Sequence, residues 1–291
     1  MKAEGLSLSL FACFYAFHLA KYRGKRYNRE KRGRILLMKI GAQLFTLRTY
    51  LQNEKDLGRA LERVARIGYT TVQLSGLGSI PAKTVRHLCD ENGLQIVLTH
   101  NPEHRFLNQI DVLIEEHQIY GCKYVGLGMM SEKYHQPHWL PCFGEDFYAP
   151  AQRLKEAGMR FMYHNHAFEF ARMSDGRTLM DHLLDMFPAD VMGITADTYW
   201  LQFAGIDVKK WLSEHAERLP CVHLKDMTVA GFENRMTAVG EGNLDFAGIM
   251  DILDHSGVTE YALVEQDHCY GLSPFDCMEK SYRHLNTLGY R

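Results

Sequence analysis

The sequence predicts an α/β protein built as one closed (β/α)8 barrel, the TIM barrel architecture, in a single domain. Three observations predict it. From residue 38 to the C-terminus, short apolar strands alternate strictly with amphipathic helices through eight units. Because a helix separates each strand from the next, neighbouring strands run parallel. No strand is followed by a GxGxxG or Walker sequence, so the rival doubly wound nucleotide-binding sheet lacks its fingerprint.

The predicted strands are short runs of aliphatic and β-branched residues bounded by turn-forming residues. In chain order they span 39–47, 71–76, 94–101, 123–130, 160–170, 191–198, 221–227 and 260–267. Eight such runs are the number that closes a barrel of this type.

The predicted helices carry apolar residues three and four positions apart, and several end at a glycine that suits a C-terminal cap. They span 57–68, 82–93, 106–121, 145–158, 178–187, 208–215, 244–257 and 274–288. The long connection 131–144 holds two prolines and several aromatic residues. This composition suits a loop that covers a site better than a tight turn.

Composition argues against several classes of function. A hydrophobic content of 46% in 291 residues is enough for a sizeable core. The formal net charge of −2 gives no electrostatic footprint for nucleic acid. The seven cysteines are odd in number and form no CxxC pair, which predicts reduced thiols in a cytoplasmic protein rather than a disulfide framework or a thiolate zinc site.

Residues 1–37 differ from the rest and form an N-terminal extension in this interpretation. Their apolar segment, 6–20, is shorter than a comfortable membrane span, and the basic segment 21–34 follows it. We expect that translation starts at Met38, so that residues 38–291 are the catalytic domain. The alternative is a disordered or anchoring extension, with the basic flank kept on the cytoplasmic side.

Ionisable residues end five of the predicted strands, four of them consecutive, where the reactive groups of such barrels lie. They are His100, His164, His166, Asp197, His223, Lys225, Glu265 and Asp267. Burying each of them without a partner would cost several kcal/mol. One bound divalent metal ion explains the set, and this mixture of imidazole and carboxylate suits Mn2+, Co2+, Mg2+ or Zn2+.

Five motifs between residues 163 and 267 resemble one known family. In order they are YHNHAFEF, ITADTYW, VHLKD, VGEGN and VEQD. They are similar to motifs of the sugar phosphate isomerase/epimerase family of xylose isomerase-like TIM barrels, which also contains inosose dehydratase and, more distantly, endonuclease IV. The resemblance covers nearly all of the chain from Met38 onward, and several separate motifs agree.

The resemblance implies that Asp197, His223 and Glu265 bind the metal. On the fifth strand the chain departs from the epimerases, because His164 stands where they have a ligand glutamate that also acts as a base. We expect that His164 completes the coordination and that His166 and Glu169 face the substrate. The competing assignment makes Glu169 the ligand. Trp200 likewise stands where epimerases often have a substrate-binding histidine.

The catalytic base is expected to be one of three residues, namely His166, Glu169 or Glu265. Substrate contacts are expected from His100, Lys225 and Glu241. The alternative for Lys225 is an ion pair with Asp226 or Glu241.

The family resemblance implies a metal-dependent sugar or sugar phosphate isomerase/epimerase that removes a proton next to a carbonyl through a metal-stabilised enediolate. A metal-dependent dehydratase or lyase acting on inososes or 3-keto-sugars is the alternative, followed by a non-catalytic sugar-binding barrel. Phosphodiester cleavage would need more metal ligands and a basic surface. The expected partner is a small carbohydrate, without nucleic acid or membrane, and a homo-oligomer is compatible with the sequence.

The start-site interpretation predicts the N-terminus of the native protein. Intact mass and N-terminal peptide analysis of protein from its own host should give a chain beginning at Met38. Recovery of peptides from residues 1–30 would contradict this expectation.

Overall fold

Eight parallel strands close into a barrel in the computed structural model of the chain, which describes residues 38–291. The barrel strands are β1 (Lys39–Gln43), β2 (Thr71–Leu74), β3 (Gln95–Asn101), β4 (Tyr124–Leu127), β5 (Arg160–His164), β6 (Met192–Asp197), β7 (Cys221–Leu224) and β10 (Tyr261–Val264). Each strand pairs with the next in this order, and β10 pairs with β1. The predicted (β/α)8 barrel is confirmed, whereas the interpretation of residues 1–37 lies outside the described residues.

The helices alternate with the strands around the barrel. They are α1 (Glu54–Ile67), α2 (Ala82–Glu91), α3 (Glu103–Asn108), α4 (Ile110–Tyr120), α5 (Leu140–Glu156), α6 (Leu179–Met186), α7 (Thr198–Phe203), α8 (Val208–Glu214), α9 (Phe246–Ser256) and α10 (Pro274–Thr287). Their buried faces pack on the strands in one large apolar core. In residues 38–291, no helix combines the length and apolar character needed to cross a membrane.

A second apolar cluster supports the polar residues at the strand ends. Side chains two positions apart share one face of a strand. Four members of this cluster each lie two positions before a polar candidate, in the pairs Leu98 and His100, Met162 and His164, Cys221 and His223, and Leu263 and Glu265. The candidates therefore point to the same side of their strands as buried apolar residues, one layer closer to the strand ends.

Several predicted boundaries differ from the structure for local reasons. The first strand stops at Gln43, because its side chain accepts a hydrogen bond from the Phe45 amide (2.6 Å) and starts a short 3-10 helix. The predicted helix 106–121 is two helices separated at Gln109. The predicted loop 131–144 is wrong over its last residues, since α5 already begins at Leu140 with a proline in its first turn.

An antiparallel hairpin that the sequence did not predict follows β7. It consists of β8 (Asp226–Ala230) and β9 (Glu233–Thr237). Asp226 is fully buried at its base. The carboxylate of Asp226 accepts hydrogen bonds from the backbone amides of Met227, Gly240, Gly242 and Leu244 at 2.8–3.2 Å. One side chain thus fixes both the hairpin and the glycine-rich loop behind it.

The hairpin predicts a stability experiment. Replacing Asp226 with alanine leaves four backbone amides, that of the buried Met227 and three partly buried ones, without this acceptor and should lower the free energy of unfolding by about 3 kcal/mol. Asp226→Asn keeps one acceptor oxygen and should cost less. Urea denaturation of both variants checks this order, and an Asp226→Ala variant as stable as wild type would contradict it.

Candidate active site

Four side chains able to bind a metal meet at the ends of neighbouring strands. They are His164, Asp197, His223 and Glu265, all buried, and one ligand atom from each lies within 4.8 Å of the others. The register explains the meeting, because Asp197 and His223 are direct partners across β6 and β7. The structure brings together the four residues that the sequence assigned to the metal, and their role as ligands stays a prediction.

Each of the two histidines of this metal-ligand group engages a neutral oxygen with one ring nitrogen and directs the other nitrogen towards a carboxylate. Nδ1 of His164 lies 3.2 Å from the carbonyl oxygen of Gly128, to which it can only donate. Its Nε2 lies 3.4 Å from Oδ2 of Asp197. Nε2 of His223 likewise donates to Oε1 of Gln73 at 2.6 Å, and its Nδ1 lies 3.1 Å from Oε2 of Glu265.

Amide side chains hold the carboxylates in place behind the metal-ligand group. Gln43 donates from Nε2 to Oε1 of Glu265 at 2.7 Å. Asn165, fully buried, accepts from the backbone amide of Asp197 at 3.0 Å. Such supporting contacts fix the orientation of ligand side chains. Sequence reasoning missed Gln73 and Asn165, and the signal for Gln73 was a single amide inside the apolar strand β2.

Lys225 lies at the centre of the charged residues. Its Nζ is 2.9 Å from Oδ2 of Asp197, 2.9 Å from Oε2 of Glu265 and 3.0 Å from Oδ2 of Asp267, with its side chain only 1% exposed. The predicted alternative, an ion pair with Asp226 or Glu241, is wrong. Asp226 is instead occupied by backbone amides.

Burial and the interactions among these charges shift the pKa values of the residues in the site. Burial opposes the charge on Lys225, but the carboxylates of Asp197 and Glu265 outweigh it and raise its pKa. Burial also opposes the charge on Asp197, which Lys225 reverses, so the pKa of Asp197 is lowered. Burial together with the charge of Glu265 raises the pKa of Asp267 to about 7. The pKa of His223 is raised because Glu265 and Asp197 outweigh its burial.

This set of donors fits a divalent cation. Two imidazole nitrogens and two carboxylate oxygens face one another, and Nδ1 of His223 and Oε2 of Glu265 make no aligned hydrogen bond although they are close. With Asp267 ionised, three carboxylates and one ammonium leave two negative charges, which a divalent ion neutralises. A mixed nitrogen and oxygen set of this kind suits Mn2+, Co2+, Mg2+ or Zn2+.

His166 and Glu169 form a second pair beside the metal-ligand group. Glu169 is fully buried and accepts from the Tyr163 hydroxyl and from the His166 amide, both at 2.8 Å. Its Oε1 lies 3.9 Å from Nδ1 of His166, an enclosed nitrogen without a hydrogen-bond partner. Both oxygens of Glu169 are therefore engaged away from the metal ligands, which favours His164 over Glu169 as the fifth-strand ligand.

His100 and Trp200 border the metal-ligand group with unpaired polar atoms. The His100 ring lies 5.0 Å from the His164 ring and 5.4 Å from the His223 ring, and its Nε2 is enclosed without a partner. His100 also lines a cavity of about 380 Å³ between the ends of β2 and β3. The Trp200 ring lies 5.4 Å from the His166 ring, and its indole nitrogen is unpaired.

Glu241 is not brought to this group of residues. Its carboxylate pairs with Lys280 of α10 at 2.9 Å, and both side chains are about half exposed. Asp226 accepts hydrogen bonds from the amides of Gly240 and Gly242 in the loop that carries Glu241, and Glu241 between them stays at the surface. Its predicted contact with substrate stays a prediction.

Comparisons with known proteins agree with the barrel fold. Residues 61–288 match the profile of the family described as Xylose isomerase-like TIM barrel. An inosose dehydratase of Lacticaseibacillus casei is 24% identical over 275 residues, which cover 81% of this chain and 91% of that protein. An inosose dehydratase of Clostridium perfringens is 27% identical over 128 residues, covering 39% of this chain and 42% of that protein. The aligned part thus spans less than half of the latter relative.

Solved structures share the same barrel. A sugar phosphate isomerase/epimerase from Parabacteroides distasonis superimposes with a TM-score of 0.70 at 21% identity, covering 86% of this chain and 98% of that one. An L-ribulose 3-epimerase gives 0.68 at 15% identity, with 87% and 94% covered. A probable 3-DHS dehydratase from Bacillus anthracis gives 0.65 at 12% identity, with 86% and 99% covered. At these identities the likeness establishes the fold.

Glu169 predicts a pH dependence of stability. Burial raises its pKa from 4.5 to about 7, so between these values the folded protein keeps a proton that the unfolded chain releases. This group should therefore destabilise the fold as pH rises through that window, by up to about 3 kcal/mol. Urea denaturation at pH 5 and pH 8 should show a smaller pH-dependent loss for Glu169→Gln than for wild type. Equal losses in the two proteins would contradict it.

Proposed function

Because this chain belongs to the xylose isomerase-like TIM barrel family, we propose that it is a divalent-metal-dependent lyase that dehydrates a small polyhydroxy ketone of the inosose or 3-keto-sugar class. The proposal is supported by the site geometry and by the inosose dehydratase that aligns with most of the chain. The single observation that carries it is an uncommitted imidazole, that of His166, beside the metal-ligand group.

His166 is suited to accept a proton. Burial and then the neighbouring His164 lower its pKa to about 3, so its ring is neutral near pH 7. The side chain is 15% exposed while Nδ1 is enclosed, which leaves Nε2 as the nitrogen available to a substrate. Glu169, 3.9 Å behind Nδ1, would stabilise the imidazolium that forms when Nε2 takes the proton.

The proposed elimination needs only one such base. Nε2 of His166 removes the proton from the carbon next to the carbonyl, and the electrons of that C–H bond form a C=C bond as the β-hydroxyl departs. The same imidazolium returns its proton to the departing oxygen, so water leaves and the histidine is regenerated. One group serves both steps when proton and hydroxyl leave from the same face.

His164, Asp197, His223 and Glu265 would hold the cation. When bound, a divalent ion would supply Lewis-acid polarisation of the substrate carbonyl. The rings of His100 and Trp200, which lie beside His164 and His166, would set the substrate in front of His166.

Isomerisation or epimerisation is the second candidate, and one observation favours it. Epimerisation returns the proton to the opposite face of the substrate, which requires a second base. Oε2 of Glu265 accepts no aligned hydrogen bond, although Lys225 and His223 lie near it. Glu265 could therefore act as that second base.

A substrate panel in D2O separates the two candidates. We expect that protein loaded with Mn2+ or Co2+ converts an inosose or a 3-keto-sugar to a product with enone absorbance. Deuterium incorporation with no loss of water would instead establish isomerase or epimerase activity, and the absence of any turnover or exchange would refute both.

The matched variants test the base. His166→Gln should lower kcat by about 10² to 10⁴-fold with a smaller effect on KM, because the residue acts in proton transfer. His87→Gln serves as control, since His87 is 69% exposed on α2. A near-normal kcat in His166→Gln would remove His166 from the mechanism.

A further inference from the structure

The oxygens that would bind the metal are the oxygens that Lys225 contacts. Oδ2 of Asp197 lies 3.4 Å from Nε2 of His164 and 2.9 Å from Nζ of Lys225. Oε2 of Glu265 lies 3.1 Å from Nδ1 of His223 and 2.9 Å from the same Nζ. The other oxygen of each carboxylate is already occupied, by the Trp200 amide in Asp197 and by the Gln43 amide group in Glu265.

We propose that the ammonium group of Lys225 is a permanent cation of the site. It shares the ligand oxygens of Asp197 and Glu265 with the metal and lowers the affinity of the site for the metal. This inference rests on the metal site of the proposed function, but not on the reaction. Each of these carboxylate oxygens has a second lone pair, so one oxygen can contact the ammonium and a metal at once.

Lys225 is fixed where it is and cannot withdraw to solvent. Its Nζ lies within 3.0 Å of one oxygen each of Asp197, Glu265 and Asp267, and it donates a hydrogen bond to that of Asp267. Its backbone amide donates to Oγ1 of Thr198 at 3.0 Å, and the same hydroxyl donates back to the Lys225 carbonyl at 2.8 Å. Asp267 is held in turn by Arg48, whose Nη2 donates to its carbonyl oxygen at 3.0 Å.

Two consequences follow from a fixed ammonium at this place. In the metal-free protein it separates carboxylates that would otherwise repel one another inside a low-dielectric interior. In the metal-loaded protein it repels the bound ion and draws charge from the ligand oxygens, which weakens binding. Lys225 therefore keeps the empty site folded at the expense of affinity for the metal.

Opposite effects of two substitutions test the inference. Lys225→Met removes the ammonium and should tighten Mn2+ binding by about tenfold or more, measured by isothermal titration calorimetry on the full chain. Asp267→Asn removes a negative charge and leaves Lys225 to the two ligand carboxylates, so it should weaken Mn2+ binding. A merely structural defect would weaken binding in both variants. Lys210→Met is the control, because Lys210 is 70% exposed and pairs only with Glu214 of its own helix.

Thermal unfolding gives a second readout that does not involve turnover. With EDTA, Lys225→Met should melt below wild type, and added Mn2+ should raise its Tm by more than it raises that of wild type. Equal or weaker Mn2+ binding in Lys225→Met would overturn the inference and leave the proposed reaction untouched. If Lys225→Met does not fold, Lys225→Gln, which keeps a neutral amide donor beside the same oxygens, decides: tighter Mn2+ binding supports the inference, and unchanged or weaker binding overturns it. If the wild-type protein has no dehydratase activity and Lys225→Met still binds Mn2+ more tightly than wild type, the inference is supported while the proposed function fails.

Discussion

The site depends on the register of the parallel ladders that close the barrel. Asp197 stands opposite His223 across β6 and β7, and His223 stands opposite Leu263, two residues before Glu265, across β7 and β10. Side chains alternate between the faces of a strand, so a slip of one residue in any ladder would turn a ligand to the outer face. The layer of apolar side chains beneath the polar ends opposes such a slip, because the slip would turn these side chains out of their cluster and disrupt its packing.

The same register brings three carboxylates close together, and neighbouring groups in the site compensate their negative charges. Asp197, Glu265 and Asp267 would repel one another in a buried position. Lys225 contacts all three, and the backbone amide of Trp200 and the side-chain amide of Gln43 occupy the other oxygens of Asp197 and Glu265. Removing any one partner would leave a buried charge uncompensated, which costs several kcal/mol. The charge distribution that suits a bound cation therefore also allows these ionisable residues to be buried in the fold.

The sequence predicts the barrel and the members of the metal-ligand group, but not most of their partners. The strands were recognisable because each is a short apolar run, and the ligands because polar residues end such runs. The alternative prediction for Lys225 was an ion pair with Asp226 or Glu241, whereas its partners come from β6 and from beyond β10, which only the closed barrel brings near. The hairpin β8–β9 escaped prediction because its strands alternate weakly and its apolar contact is a small cluster of Met227 and Met236 with Tyr199. Gln73 escaped prediction because it is a single amide inside an apolar strand.

The choice of reaction depends on which groups remain free once the metal-ligand group is compensated. Among the described residues of the site, the carboxylates of Asp197, Glu265 and Asp267 contact Lys225, and that of Glu169 is engaged by Tyr163 and a backbone amide. His166 alone combines a neutral ring with an accessible nitrogen and a carboxylate behind it. A single base can remove a proton and return it on one face, whereas epimerisation must recruit Glu265 away from Lys225. In the proposed function, this electrostatic compensation favours elimination over epimerisation.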